Sequence, residues 1–248
     1  IRDSLITVRG QKYLQEADII VYAGSLVNPA LLEVRKDGCE VHNSALMTLE
    51  EVLDVMIRGE KNHKRVVRLH TGDPCLYGAI KEQMDALKQE GIDYEVCPGV
   101  SSFCGAAAAL EAEYTLPGIS QSVVITRMAG RTPVPERESI RSFASHHATM
   151  VIFLSTGMLA ELEKELIAGG YEKDTPAAIV YKATWPEQKV CRCTVETLAK
   201  TAEGEGITKT ALIVVGDVLD SGYDRSELYN PAFTTEFRKA SREGNTNE

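Results

Sequence analysis

Residues 66–87 read VVRLHTGDPCLYGAIKEQMDAL, and the hydrophobic period of the chain changes in the middle of that stretch. Val66, Val67 and Leu69 are β-branched or apolar residues suited to a buried strand, which Gly72 and Pro74 bring to a stop. From about Gly78 onward, Ile80, Met84 and Leu87 recur at helical spacing, with Lys81, Glu82, Asp85 and Lys88 on the opposite side. A strand, a Gly-Asp-Pro turn and an amphipathic helix predict an open α/β sheet, in which ligands bind at the carboxyl edge of the strands. Gly72 has no side chain to keep a ligand off the backbone, and Asp73 offers an acceptor beside it.

The alternation of strand and helix extends outward from this turn. Before it, a helical face of Leu5, Val8, Leu14 and Ala17 precedes a strand over 18–23, a short helix over 29–35 and a helix from the capping-box sequence Thr48-Leu49-Glu50-Glu51 to about Arg58. After it come a strand over 94–97 and the turn Pro98-Gly99-Val100-Ser101-Ser102, where Ser101 or Ser102 can cap an Ala-rich helix running to Leu110. Thr115-Leu116-Pro117-Gly118 interrupts the pattern, so the predicted domains are 1–117 and 118–248. In the second, strands are expected over 121–127, 149–154, 177–183, 189–195 and 211–215, with helices from about Pro135 and over 158–168. The short connection between the last two strands predicts that they pair antiparallel, making the second sheet mixed. The residues from Asp220 onward are polar and aromatic, and SREGNTNE at the end is expected to be disordered.

Composition excludes several functions. The 248 residues are 44% hydrophobic, enough for a substantial core, and carry a net charge of −9. That acidic balance predicts no nucleic-acid partner, since phosphate recognition needs a basic face. No apolar run is long enough to span a bilayer and no signal-peptide segment opens the chain, so no membrane partner and a cytoplasmic location are expected.

Catalytic signatures are scarce. Six scattered cysteines without paired CxxC spacing and five histidines without ligand spacing predict neither zinc nor any other metal. Cys75 lies in the central turn but has no neighbouring histidine to activate it, and His70 reads as strand packing. Neither G-x-G-x-x-G after a first strand nor G-x-x-x-x-G-K-[ST] is present, so the dinucleotide and P-loop readings lack their fingerprints.

The ordered series TGDP (71–74), LYG (76–78), PGVSS (98–102), TMVIFL (149–154) and the stretch from Pro176 to Pro186 resembles the tetrapyrrole methylases over nearly the whole chain. Within that family, ITRMAGRTPVPE (125–136), VYKATWPEQKVCR (180–192) and SELYNPAFTTEFRK (226–239) are similar to the branch that methylates C-11 of precorrin-4. The resemblance implies the tetrapyrrole methylase fold: two α/β domains, a mostly parallel sheet and then a mixed one, with the cofactor in the cleft between them. It also implies S-adenosylmethionine as methyl donor, S-adenosylhomocysteine as product, a small-molecule tetrapyrrole as acceptor and a homodimer. By position in the matching motifs it assigns Thr71, Gly72, Asp73, Leu76, Ser101 and Ser102 to the cofactor from the first domain, and Leu154, Tyr181, Ala183 and Ala211 from the second. The family opens with a strand and a G-x-G-P-G-D-P-type loop before LITVRG, where this sequence has only IRDS, so a chain shortened at its amino end is expected.

Methyl transfer from a sulfonium to an electron-rich carbon needs alignment and desolvation more than a catalytic triad, so no catalytic base is assigned. The acceptor's many carboxylates need cations at the site, and Arg127, Arg131 and Lys182, at loops or strand ends of the branch-specific stretches, are the candidates. Two rival readings follow: a relative acting at another precorrin position or on a diphthamide precursor, and a protein that binds these ligands without turnover.

Overall fold

A computed structural model describes residues 5–24, 26–220 and 222–241. The chain divides into two compact units, one of Ile1–Ala109 with Tyr181–Lys189, the other of Leu110–Val180 with Val190–Glu248.

The first unit holds helix α1 (Val8–Glu16), strands β1 (Ile19–Tyr22) and β2 (Glu40–Asn43), helix α2 (Leu49–Lys61), strand β3 (Val66–Leu69), and helices α3 (Ile80–Gln89) and α4 (Ser102–Leu110). Its sheet has the order β2-β1-β3 and both pairings are parallel, with Ile20 opposite Val41 on one side and Val67 on the other. Parallel strands need crossover helices on their faces, which explains why β1 is apolar at successive positions. Ile20 packs with Leu14, Ala17 and Leu32 on one face, and Ile19 and Val21 pack with Val52 and Val55 on the other. The capping box read from the sequence closes the start of α2: the Thr48 hydroxyl accepts from Glu51 N and the Glu51 carboxylate accepts from Thr48 N. Gly59 lets α2 lie close to β3, since a Cβ there would sit 2.4 Å from Val66 Cγ2.

The second unit holds β4 (Val123–Arg127), α5 (Ile140–Ala144), β5 (Thr149–Phe153), α6 (Leu159–Gly169), β6 (Pro176–Tyr181), β7 (Lys189–Thr194), α7 (Leu198–Gly204) and β8 (Ala211–Val215). The sheet order is β4-β5-β8-β6-β7, with β4 and β5 parallel and β5 and β8 antiparallel, so the sheet is mixed as expected. Every residue of β5 and β8 is buried, as their unbroken apolar runs require of central strands. Leu159, Leu162 and Leu166 line the buried side of α6.

Three expectations are corrected. The last two strands do not pair: α7 separates them in sequence and β6 lies between them in the sheet. The strand expected over 177–183 ends at Tyr181, because Lys182 and Thr184 turn into left-handed backbone, φ 45° and 73°. Residues 94–97 form no ladder, and Tyr94 and Val96 are exposed.

Candidate functional site: paired turns and a cavity in the first unit

Two turns meet in the first unit. The one after β3 carries Thr71, Gly72, Asp73 and Pro74, and the one before α4 carries Pro98, Gly99, Val100 and Ser101. Asp73 fastens them, its Oδ2 accepting from Gly99 N at 2.9 Å and its Oδ1 from Cys75 N at 2.8 Å. The Cys75 thiol and then these N–H groups hold the Asp73 carboxyl below its ordinary pKa. The same contact raises the pKa of the Cys75 thiol, away from the thiolate a nucleophile needs.

The backbones of the two turns stack without room for side chains. Gly72 has φ +64°, and a Cβ on it would lie 3.2 Å from Ser101 Cα and Ser102 N. A Cβ on Gly99 would lie 1.9 Å from the Gly72 carbonyl oxygen. Both glycines are therefore required by the packing of turn on turn, whereas the sequence had connected Gly72 only with access for a ligand.

Beside the turns lies a cavity of about 180 Å³. His70, Thr71, Gly72, Ser102, Ala183 and Trp185 are among the residues lining it. Of the positions assigned to the cofactor, Thr71, Gly72, Ser102 and Ala183 share this cavity, while Asp73, Leu76, Ser101 and Tyr181 are outside its lining. Ser101 is buried, and its carbonyl accepts from Cys104 N at 2.9 Å at the start of α4. Leu76 N donates to Asp73 O at 3.2 Å within the first turn.

His70 and Trp185 were not assigned to a ligand in the sequence. Burial, and then the charge of Arg68, lower the His70 pKa to about 4, so the imidazole is neutral at pH 7. Its place directly after the end of a parallel strand was the available signal. Hydroxyls, exposed turn backbone and a neutral imidazole give the cavity polar groups set between apolar walls. Lys182 is outside the lining, with its Nζ 4.9 Å from the Trp185 ring centre, 5.4 Å from that of Tyr181 and 4.0 Å from Glu187 Oε1.

The remaining candidates cluster in the second unit at the carboxyl end of β5. Leu154 has φ +52° and is 61% exposed, an unusual combination for a leucine. The β5–β8 register continues to place Leu154 opposite Ala211, whose carbonyl accepts from Thr156 Oγ1 at 3.2 Å. Ser155 joins this end to β4, its Oγ donating to Phe153 O at 2.7 Å and accepting from Met128 N at 2.9 Å. Arg127 turns its guanidinium inward on its own loop, donating to the carbonyls of Met128, Thr132 and Pro133 at 3.0–3.1 Å. Arg131 is exposed and makes no ion pair among the described residues. Also among the described residues, no group of three or more His, Cys, Asp or Glu could hold a metal ion, and no helix is long and apolar enough to cross a membrane.

The chain is similar to known proteins over most of its length. The sequence is 53% identical to the cobalt-precorrin-4 C(11)-methyltransferase of Methanocaldococcus jannaschii over 95% of this chain and 92% of that one. It is 42% identical to the precorrin-4 C(11)-methyltransferase of Pseudomonas aeruginosa over 91% of this chain and 90% of the other. Among solved structures, the X-ray structure of a cobalamin biosynthetic enzyme, cobalt precorrin-4 methyltransferase, matches with a TM-score of 0.85 and 49% identity over 88% of this chain and 91% of that one. A uroporphyrin-III C-methyltransferase from Thermus thermophilus complexed with S-adenosylhomocysteine matches with a TM-score of 0.71 and 25% identity over 87% of this chain and 92% of that one. A profile of the tetrapyrrole (corrin/porphyrin) methylases matches residues 2–199, and the chain belongs to that family.

Proposed function

We propose that this protein transfers a methyl group from S-adenosylmethionine to C-11 of cobalt-precorrin-4. The observation that carries the reading is 53% identity across 95% of the chain to an enzyme of that name. The cobalt-containing acceptor is preferred to the metal-free one because relatives named for it reach 53% and 48% identity, against 42% for a relative named for precorrin-4. Identity to a uroporphyrinogen-III methyltransferase is 29%, which sets that rival acceptor further away.

When bound, S-adenosylmethionine would supply a methyl group activated by its sulfonium for transfer to a nucleophilic ring carbon of the acceptor. The first unit's residues bind and orient. Gly72 presents turn backbone at the cavity wall, and Thr71 and Ser102 provide hydroxyls there. His70 is neutral and so adds no like charge beside the sulfonium. Leu154, Tyr181 and Ala211 remain proposed cofactor contacts, and Arg131 and Lys182 proposed partners for the acceptor's carboxylates. Arg127 supports that role as a brace for the loop that carries Arg131. A homodimer is the proposed assembly, testable by sedimentation.

The test is a side-by-side assay of methyl transfer to cobalt-precorrin-4 and to metal-free precorrin-4, with S-adenosylhomocysteine binding measured by calorimetry. Turnover with the cobalt substrate at a higher kcat/KM is expected. Binding without turnover of either acceptor would replace an enzyme with a binding protein.

A further inference from the structure

The segment Tyr181–Lys189 belongs to the first unit, although it connects β6 to β7 of the second. It lies against α4: a Cβ placed on Gly105 would be 3.6 Å from Ala183 Cβ and 3.8 Å from Thr184 Cγ2. Its backbone is constrained. Lys182 and Thr184 have φ of 45° and 73°, left-handed values at which a β-branched threonine is an outlier and which persist only where surrounding contacts dictate them. Those contacts are local, with Thr184 N donating to Gln188 Oε1 at 2.7 Å, Trp185 N to Lys182 O at 3.0 Å and Gln188 N to Trp185 O at 3.0 Å. The turn so held carries Trp185, the only tryptophan of the sequence. Lys182 Nζ stands over the indole, 4.9 Å from its centre, a cation–π contact that helps to fix the ring. Trp185 lines the cavity and Lys182 does not, so the cavity meets the indole on a side that the lysine leaves free. The indole is only half-buried, and core packing does not account for it. A connection between two strands needs neither the strained turn nor the large rigid aromatic that it presents.

We propose that Trp185 is the surface on which the purine of the S-adenosyl cofactor stacks. This rests on the cofactor assignment made above and adds a contact that the assignment lacks. Thr71, Gly72, Ser102 and Ala183, the assigned positions that share the cavity, supply hydroxyls, backbone and a methyl group but no flat apolar face. A purine is flat and aromatic, and an indole stacks on it without needing a matched hydrogen bond. The ring is already held by its turn and by Lys182, so it loses little freedom when the base arrives. The volume favours the cofactor over the acceptor: about 180 Å³ admits a fused bicyclic base and not a tetrapyrrole macrocycle.

The experiment compares S-adenosylhomocysteine with S-ribosylhomocysteine, the same molecule without its adenine, in the parent, Trp185→Phe and Trp185→Leu. Calorimetry should show that Trp185→Leu binds S-adenosylhomocysteine about tenfold or more weakly than the parent, while Trp185→Phe, which keeps a flat face, recovers most of the affinity. Neither variant should alter the affinity for S-ribosylhomocysteine. A merely structural tryptophan would be replaced as well by leucine as by phenylalanine, so equal affinities of the two variants for S-adenosylhomocysteine overturn the proposal. Emission from the parent gives a readout that no misfolded variant can obscure, because Trp185 is its only source. Saturating S-adenosylhomocysteine should quench that emission and saturating S-ribosylhomocysteine should not; S-adenosylhomocysteine that binds by calorimetry without changing the emission also overturns the proposal. If Trp185→Leu instead raises the KM for the tetrapyrrole and leaves S-adenosylhomocysteine affinity unchanged, the ring serves the acceptor and the assignment to the purine fails. A parent that does not bind S-adenosylhomocysteine at all removes the cofactor reading itself, a result distinct from these.

Discussion

Asp73 Oδ2 accepts a hydrogen bond from the Gly99 backbone N–H at 2.9 Å, and through that contact the turn after β3 and the turn before α4 act as one structural piece. The two residues are 26 apart in sequence, so the carboxylate closes a loop that contains the whole of α3. Two of its acceptor sites are taken by backbone N–H groups, so Asp73 fixes the turns that carry Gly72 and Ser102. Replacing it with alanine should destabilise the protein by about 1 kcal/mol, since the contact is partly solvated, and weaken S-adenosylhomocysteine binding by displacing the turns. Asp73→Asn, which keeps one acceptor oxygen, should recover part of both losses. Alanine and asparagine variants with the parent's melting temperature and affinity would disconnect the two turns.

Gly72 is constrained twice, by a φ of +64° and by the 3.2 Å approach that a Cβ would make to Ser101 Cα. Gly72→Ala should therefore cost about 1 kcal/mol from backbone conformation alone, with crowding added to it. Thermal unfolding should show the loss, and S-adenosylhomocysteine affinity should fall at least tenfold because the stacked turns separate at the cavity wall. Gly72→Val adds a branched side chain in the same place and should fall below Gly72→Ala on both measurements. Normal affinity in a folded alanine variant would remove this turn from the binding site.

The pH dependence of stability should include a contribution from His70. Its folded pKa of about 4 lies below the unfolded value of 6.5, so between those limits the unfolded chain binds the proton and the folded chain does not. Stability should then rise with pH through this window and be lost as pH falls from about 6.5 to about 4. The ring is partly exposed, and about 1 to 2 kcal/mol is the expected size. Denaturant unfolding of the parent and His70→Asn at pH 7.5 and 5 tests it: the variant should lose less stability on acidification. Parallel losses would show that His70 titrates normally.

The elements legible in the sequence were those with a strong period or a continuous apolar run. Val66–Leu69, Thr149–Phe153 and Ala211–Val215 are strands where the sequence predicts them; the last two are buried at every position, as their nearly continuous apolar runs require. β2, with the sequence EVHN, was not foreseen; it is polar and recognisable only by its pairing with β1. Residues 94–97 have strand-forming residues but no ladder, and whether a strand-like segment pairs is not encoded in its local sequence. At the site, the turns could be read from Gly72, Asp73, Gly99 and Ser102. That Asp73 binds the second turn, and that His70 and Trp185 line the cavity, depended on contacts between segments far apart in the chain.

Leu154 holds a left-handed backbone and a side chain that is 61% exposed, so leucine there serves neither local conformation nor core packing. Leu154→Gly should relieve the conformation and leave stability equal to the parent or higher by about 0.5 to 1 kcal/mol. If the side chain touches the cofactor as proposed, S-adenosylhomocysteine affinity should fall severalfold in the same variant. Opposite signs in the two measurements would mark a position kept for binding; unchanged affinity would leave Leu154 without a role in it.

Arg127 and Arg131 are separated by three residues in the same loop, yet the structure gives them different work. The Arg127 guanidinium donates to three carbonyls of its own loop, at Met128, Thr132 and Pro133, whereas Arg131 is exposed and forms no ion pair among the described residues. Arg127→Ala should leave those carbonyls without their donor, loosen the loop and lower the melting temperature, with kcat and KM both affected. Arg131→Ala should leave stability within about 0.5 kcal/mol of the parent, as surface substitutions do, and act on the acceptor alone. Its expected signature is a KM for cobalt-precorrin-4 raised about three- to tenfold, with S-adenosylhomocysteine affinity unchanged, because a partly solvated guanidinium–carboxylate contact contributes about 1 kcal/mol. Arg131→Lys should restore part of the loss, keeping the charge but not the planar fork. Added salt should narrow the gap between parent and Arg131→Ala by screening the contact. Steady-state kinetics at two salt concentrations decide the matter: an Arg131→Ala enzyme whose KM equals the parent's at low salt would show that the acceptor's carboxylates are held elsewhere.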